Sequence, residues 1–116
     1  MNYKITGKVI KGDGYGRKLG FPTVNLEITQ ENPVQELPPV GVYAGNAVLD
    51  NKSYRAGILI NSGGKVEAHL IGYDADAYGK MVTLEIKKFL RDYKKFENEK
   101  ELIKQIVKDL KKCSRV

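Results

Sequence analysis

Thr23 and Asn25 stand two positions apart at the end of the run "GYGRKLGFPTVN", Gly14 to Asn25, behind the adjacent cations Arg17 and Lys18. In an extended chain such positions share a face, about 7 Å apart at Cα from ~3.3 Å per residue. A Thr hydroxyl and an Asn amide oxygen are neutral, hard oxygen donors. A Mg²⁺ ion held mainly by substrate phosphates needs only one or two of these to complete its shell. Arg17, Lys18 and nearby backbone N–H groups would add positive potential for phosphate. Pro22, with no N–H and a fixed φ, suits the start or edge of a strand and gives the chain a rigid approach. The glycines at 12, 14, 16 and 20 also serve tight turns, because Gly tolerates positive φ. A Thr/Asn pair on a strand often faces only solvent, so the run by itself leaves both readings open.

A second candidate lies in "KVEAHL", Lys65 to Leu70. Val66, Ala68 and Leu70 form one apolar face of a strand, which leaves Glu67 and His69 together on the other. A solvent-facing strand would account for both. A sharper reading makes Glu67 a general base, placed to take a proton from a hydroxyl as it attacks phosphorus. His69 is the sole histidine, and no Gly-x-Ser-x-Gly elbow accompanies it. One His with one cysteine, Cys113, near the end of the chain is a poor start for a zinc site.

The elements that must position these groups are short. Alternation or β-branched content marks strands at Tyr3–Ile10, Thr23–Ile28, Val42–Leu49, Tyr54–Ile60, Lys65–Ile71 and Met81–Phe89. Turn signals separate them: "GDGYG", "ENP…LPP", "LDNK", "NSGG" and "YDADAYGK". Strands with no long helix between them pair antiparallel, as a barrel or a sandwich, because parallel pairing needs crossovers of a dozen or more residues. The period changes at the end of the chain. Asn98 with Glu101 makes a capping pair, and Leu102, Ile103, Ile106, Val107 and Leu110 form the apolar face of a helix. That helix is expected to bury these five residues over an open end or edge of the sheet.

At 116 residues the chain supports one core and one domain, residues 1–116. Its apolar content of 41% and charged content of 29% are those of a folded soluble protein. No apolar run reaches the ~20 residues needed to cross a bilayer, and the N-terminus lacks the pattern of a signal peptide. A cytoplasmic location is the expectation, with no membrane partner. The net charge of +6 raises nucleic acid as a partner. Residues 1–86 hold nine Lys/Arg against nine Asp/Glu, and residues 87–116 hold eleven against five. The excess therefore alternates with the apolar positions of the terminal helix, as on a solvated helix face, and no cluster of aromatics is interleaved with the cations. A barrel without nucleic acid is the reading taken; an RNA-binding barrel is the one set aside.

Taken together, Gly-x-Gly-Arg-Lys-Leu-Gly-Phe-Pro-Thr-x-Asn, Gly41-Val42-Tyr43-Ala44-Gly45, Val66-Glu67-Ala68-His69-Leu70, Tyr78-Gly79, Leu90-Arg91 and Lys95-Phe96 resemble, in this order, the riboflavin kinase (flavokinase) family. The resemblance runs from about Gly7 to Asp109. It implies an all-β fold, a six-stranded antiparallel Greek-key β-barrel with a C-terminal α-helix. It further implies transfer of the γ-phosphoryl group of ATP to the 5′-hydroxyl of riboflavin, with Mg²⁺ or another divalent cation, giving FMN and ADP. Residue by residue, it implies a nucleotide and phosphate site at Gly14, Gly16, Arg17, Lys18, Gly20, Pro22, Thr23 and Asn25. Thr23 and Asn25 would be the metal ligands and Glu67 the catalytic base. Arg91, with the segment leading into the helix, would lie at the flavin in a mobile flap. A monomer is expected, in the form without the adenylyltransferase domain that makes FAD. One departure stands out. Relatives usually carry a longer, Pro-Thr-containing loop after Asn-x-Gly, whereas only Gly64, Lys65 and Val66 separate Asn61-Ser62-Gly63 from Glu67. It motivates a second reading, a non-catalytic barrel that binds flavin or nucleotide.

Overall fold

The computed structural model describes residues 3–12, 14–28 and 37–115. Six strands, β1 (Tyr3–Ile10), β2 (Val24–Glu27), β3 (Gly41–Leu49), β4 (Lys52–Ile60), β5 (Val66–Leu70) and β6 (Met81–Arg91), close into a barrel in the order β1-β2-β5-β4-β3-β6. Every pairing is antiparallel. β3, β4 and β5 form a meander, and β6 returns to lie beside β3, which is the Greek-key arrangement. All six expected strands are present, with ends shifted by two residues or fewer. The turn expected around Glu31–Pro33 lies outside the described residues.

Alternation sets the inner face. Ile5, Leu26, Ala56, Ile58, Val66, Ala68, Val82, Leu84 and Ile86 are among the buried residues that fill the barrel. Closure also removes the edges that an open sheet would expose. The hairpins use the turn chemistry expected of them. Asp50 and Asn51 take positive φ (51° and 64°) between β3 and β4, as a two-residue turn of the primed type requires. Between β4 and β5 the chain turns within Asn61–Lys65: the Asn61 N–H donates to the Lys65 carbonyl at 2.9 Å, and Gly63 and Gly64 supply φ of 85° and 79°. The loop that is short in the sequence is thus a tight hairpin.

Two helices lie outside the wall. The first, α1 (Tyr15–Lys18), is a single turn within the glycine-rich run, and no periodicity announces an element so short. The second, α2 (Glu99–Cys113), starts where the capping pair places it, the Asn98 side chain accepting from the Glu101 N–H at 2.9 Å. It packs against β3 and β4. Gly57 eases the approach, since a methyl group there would stand 3.3 Å from Leu110 Cδ2 and 3.5 Å from Cys113 Sγ.

The face that α2 buries differs from the one expected. Its buried residues are Asp109 and Cys113, while Leu102, Ile103, Ile106 and Leu110 are half-buried and Val107 is 38% exposed. The reason is that the barrel is already closed and filled. The helix therefore covers no sheet edge; it lies on β3 and β4, and Leu102, Ile106 and Leu110 of its apolar stripe wall a cavity beside the barrel.

Candidate active site

The outer face of the β2–β5 pair carries the candidate residues. Asn25 lies directly opposite Glu67 and Val24 opposite Ala68 in the ladder. Continued by one residue, this register sets Thr23 against His69. Since Leu26, Val66, Ala68 and Leu70 point into the core, Thr23, Asn25, Glu67 and His69 project together from the other side. They form a two-by-two patch. Its diagonal is a hydrogen bond, from Thr23 Oγ1 to Glu67 Oε1 at 3.2 Å. A strand facing open solvent is thereby excluded for Glu67 and His69, because both are half-buried and line a cavity.

That cavity has a volume of about 570 Å³, within the range of small-molecule sites. The patch, with Thr23, Glu67 and His69, forms one wall. The opposite wall is α2, through Leu102, Ile106, Asp109 and Leu110. Residues of α1 and its exit (Tyr15, Gly16, Leu19, Phe21) close one side, and the segment from Arg91 through Asn98 closes another. Both outer walls have structural reasons. Gly16 accepts a hydrogen bond from the Phe21 N–H at 2.8 Å, and a methyl group at Gly16 would stand 2.6 Å from the Phe21 carbonyl oxygen, so only glycine lets the loop fold back so closely. On the far side, Asp109 ties α2 to the end of β6. Its carboxylate, in a residue 5% exposed, accepts from Arg91 Nε at 3.1 Å, Arg91 Nη2 at 2.9 Å and Gln105 Nε2 at 3.0 Å. The Arg91 guanidinium also lies 5.7 Å from the centroid of the Phe96 ring.

The residues singled out from the sequence divide as follows. Thr23, Glu67, Gly16 and Arg91 line the cavity. Asn25 sits beside Glu67 but packs over Gly12, where a methyl group would collide with its amide. Arg17 and Pro22 face a smaller recess of about 40 Å³ on the other side of Thr23, which they share with Asp74 and Asp76. Gly14, Lys18 and Gly20 are exposed, and the two glycines take φ of 74° and 93°. The backbone N–H groups of Lys18, Leu19, Gly20 and Phe21 are bonded within the loop itself, so they are not free donors for a phosphate. Sequence reasoning missed the Asp109 latch. Its one signal was a carboxylate one turn after Ile106 and beside Leu110, within an otherwise apolar stripe.

The donor set suits a hard cation. Thr23, Asn25 and Glu67 offer only oxygen, and no group of three His, Cys, Asp or Glu that could hold a metal by itself occurs among the described residues. An ion here would take most of its ligands from a bound phosphate. Among those residues, no helix is long and apolar enough to cross a membrane.

Comparison with known proteins agrees with the fold. The chain is 34% identical over 125 residues to the bifunctional riboflavin kinase/FMN adenylyltransferase of Bacillus subtilis, covering 97% of this chain and 38% of that protein. It therefore spans well under half the length of this curated relative. Among solved structures, a Streptococcus pneumoniae protein described as a macrolide-efflux protein superposes with a TM-score of 0.82 at 26% identity, over 93% of this chain and 37% of the other. The riboflavin kinase of Trypanosoma brucei superposes with a TM-score of 0.76 at 20% identity, over 98% and 76%, and shares the fold. The family model for riboflavin kinase, Flavokinase, matches residues 1–116. With the barrel, the patch and this match over the whole sequence, the chain belongs to the riboflavin kinase (flavokinase) family.

Proposed function

We propose that this chain is a riboflavin kinase, moving the γ-phosphoryl group of ATP to the 5′-hydroxyl of riboflavin to give FMN and ADP. The observation that carries the reading is the Thr23–Glu67 hydrogen bond at the cavity wall. A carboxylate beside a phosphate site repels its ligand, so a pure binder gains nothing from Glu67. A kinase uses it as the acceptor of the hydroxyl proton. The short Asn61–Lys65 hairpin is compatible with either function, and the carboxylate favours the enzyme.

The chemistry divides among this chain's residues. Thr23 gives its proton to Glu67, which leaves the hydroxyl lone pairs for a cation. With Mg²⁺ or another divalent cation, Thr23 Oγ1 and Asn25 Oδ1 are the protein ligands, and the ion's contribution is to neutralise phosphate charge. Arg17, in the recess across Thr23, stands on the nucleotide side. The apolar wall of Phe21, Leu102, Ile106 and Leu110 takes the flavin ring, next to Arg91. Glu67 accepts the proton of the 5′-hydroxyl as the new O–P bond forms and the bond to the ADP oxygen breaks. Positioning and charge stabilisation dominate such transfers. Incubation with riboflavin, MgATP and, separately, each other nucleoside triphosphate, followed by chromatography, tests the proposal. FMN is the expected product; a bound flavin that is never phosphorylated sinks the kinase and leaves the binder.

A further inference from the structure

His69 is the one member of the patch that the proposed mechanism does not use. Its Nδ1 lies 2.7 Å from the carbonyl oxygen of Pro22. A carbonyl oxygen only accepts, so Nδ1 carries the proton, and in the neutral ring Nε2 carries none. Its ring also meets Phe21 edge-on, with centroids 6.2 Å apart at 75°. Both contacts fall on Phe21 and Pro22, in the link between the glycine-rich loop and β2.

This place in the chain needs an anchor. The β2–β5 ladder begins at Val24–Ala68, so Pro22 and Thr23 lie beyond its last rung. Pro22 has no N–H to give, and on its N-terminal side the loop bonds to itself from Gly14 to Phe21. The His69 ring supplies the bond across to β5. One residue further on, the Thr23 hydroxyl donates to Glu67 at 3.2 Å.

Accordingly, the geometry points to His69 as a positioning residue: through Nδ1–H it holds the Pro22 carbonyl, and thereby sets the Thr23 hydroxyl on Glu67 and on the metal-nucleotide. The proposal rests on the kinase reading of the same site and assigns the ring no contact with the reacting atoms. Its action is that of an outer residue orienting a ligand, a role whose loss typically costs about 10–100-fold in affinity or activity.

Three substitutions separate the ring's parts. His69→Asn keeps an N–H close to the Nδ1 position and deletes the ring. His69→Gln reaches toward the Nε2 position, and His69→Phe keeps the ring without its hydrogen bond. We expect His69→Asn to stay within about threefold of the parent, while His69→Gln and His69→Phe raise the KM for MgATP or lower kcat by about 10–100-fold. The KM for riboflavin should hold within about threefold in all three. Melting temperatures identify any variant that fails to fold. An active His69→Gln with a weakened His69→Asn makes Nε2 the working atom and overturns the proposal, as do three variants with equal rates. A second readout needs no activity. Because His69 is the sole histidine, a long-range ¹H–¹⁵N spectrum of the unaltered protein shows one imidazole. At a pH where it is neutral, the Nδ1–H tautomer is expected, and the Nε2–H tautomer overturns the assignment. A parent protein that makes no FMN defeats the kinase reading. An active parent with an impaired His69→Asn defeats this proposal alone.

Discussion

Replacing Asp109 by alanine should cost more than any other single change on α2. The carboxylate is 5% exposed and takes donors from Arg91 on one side and Gln105 on the other. Breaking a buried pair by removing one partner costs about 3–5 kcal/mol, because it leaves the other charge uncompensated. The Arg91 side chain, however, retains 23% exposure and keeps its bond from Nη1 to the Asp92 carbonyl, so about 2–4 kcal/mol is the fitting range here. For a domain of this size, at about 4 °C per kcal/mol, the melting temperature should fall by roughly 8–16 °C. Thermal and urea unfolding of Asp109→Ala, Arg91→Met and the double variant form a cycle whose coupling should be about 1–3 kcal/mol. If the kinase reading holds, the KM for riboflavin should rise more than kcat falls, since the latch sets the α2 wall against the end of β6. A coupling under about 0.5 kcal/mol, within the scatter of independent sites, refutes the latch.

Four further outcomes are expected. Glu67→Gln should fold and bind both substrates but turn over about 10²–10⁴ times more slowly, nearer the low end for a loose phosphoryl-transfer transition state; a change below about threefold removes Glu67 from the mechanism. Asn25→Ala should weaken MgATP use more than riboflavin binding, and raised Mg²⁺ should restore part of the rate; a collapse of riboflavin affinity instead contradicts the ligand role. Ile106→Ala, at a half-buried position on the cavity wall, should cost about 1–2 kcal/mol, less than the ~2–5 of a fully buried site; unchanged melting means that α2 is not docked through this face. Burial, with the Asp109 charge adding, pushes the Cys113 thiol up to about 11. A thiol raised on folding contributes stability that is whole below the unfolded value of ~8.5 and lost as pH rises through the folded one. Between those values the parent should lose up to ~1.4 kcal/mol per pH unit more than Cys113→Ala, read from urea midpoints; equal slopes would refute it.

Much of this protein is written locally in its chain. A strand's face is settled by a period of two residues, which is why Val66, Ala68 and Leu70 separate from Glu67 and His69 before any partner strand is known. A helix start depends on one side chain and the N–H three residues on, so Asn98 and Glu101 suffice to place α2. The family is legible for a related reason: its motifs, from the glycine-rich run to Leu90-Arg91, are short local stretches that can be read in order along the chain. The rest required pairing between distant segments. The patch forms only because β2 pairs with β5, the last strand of the β3–β4–β5 meander, in a register that sets Asn25 on Glu67. Periodicity pointed the helix's apolar stripe at a core, but closure of the barrel had already filled that core, and three of the five residues, Leu102, Ile106 and Leu110, became the wall of a cavity. Arg91 and Asp109, eighteen positions apart, met because α2 packs back against β3 and β4. His69 is the plainest case. Its face could be read from alternation, but which of its nitrogens works depends on the Pro22 carbonyl, 47 residues away along the chain and 2.7 Å away in space.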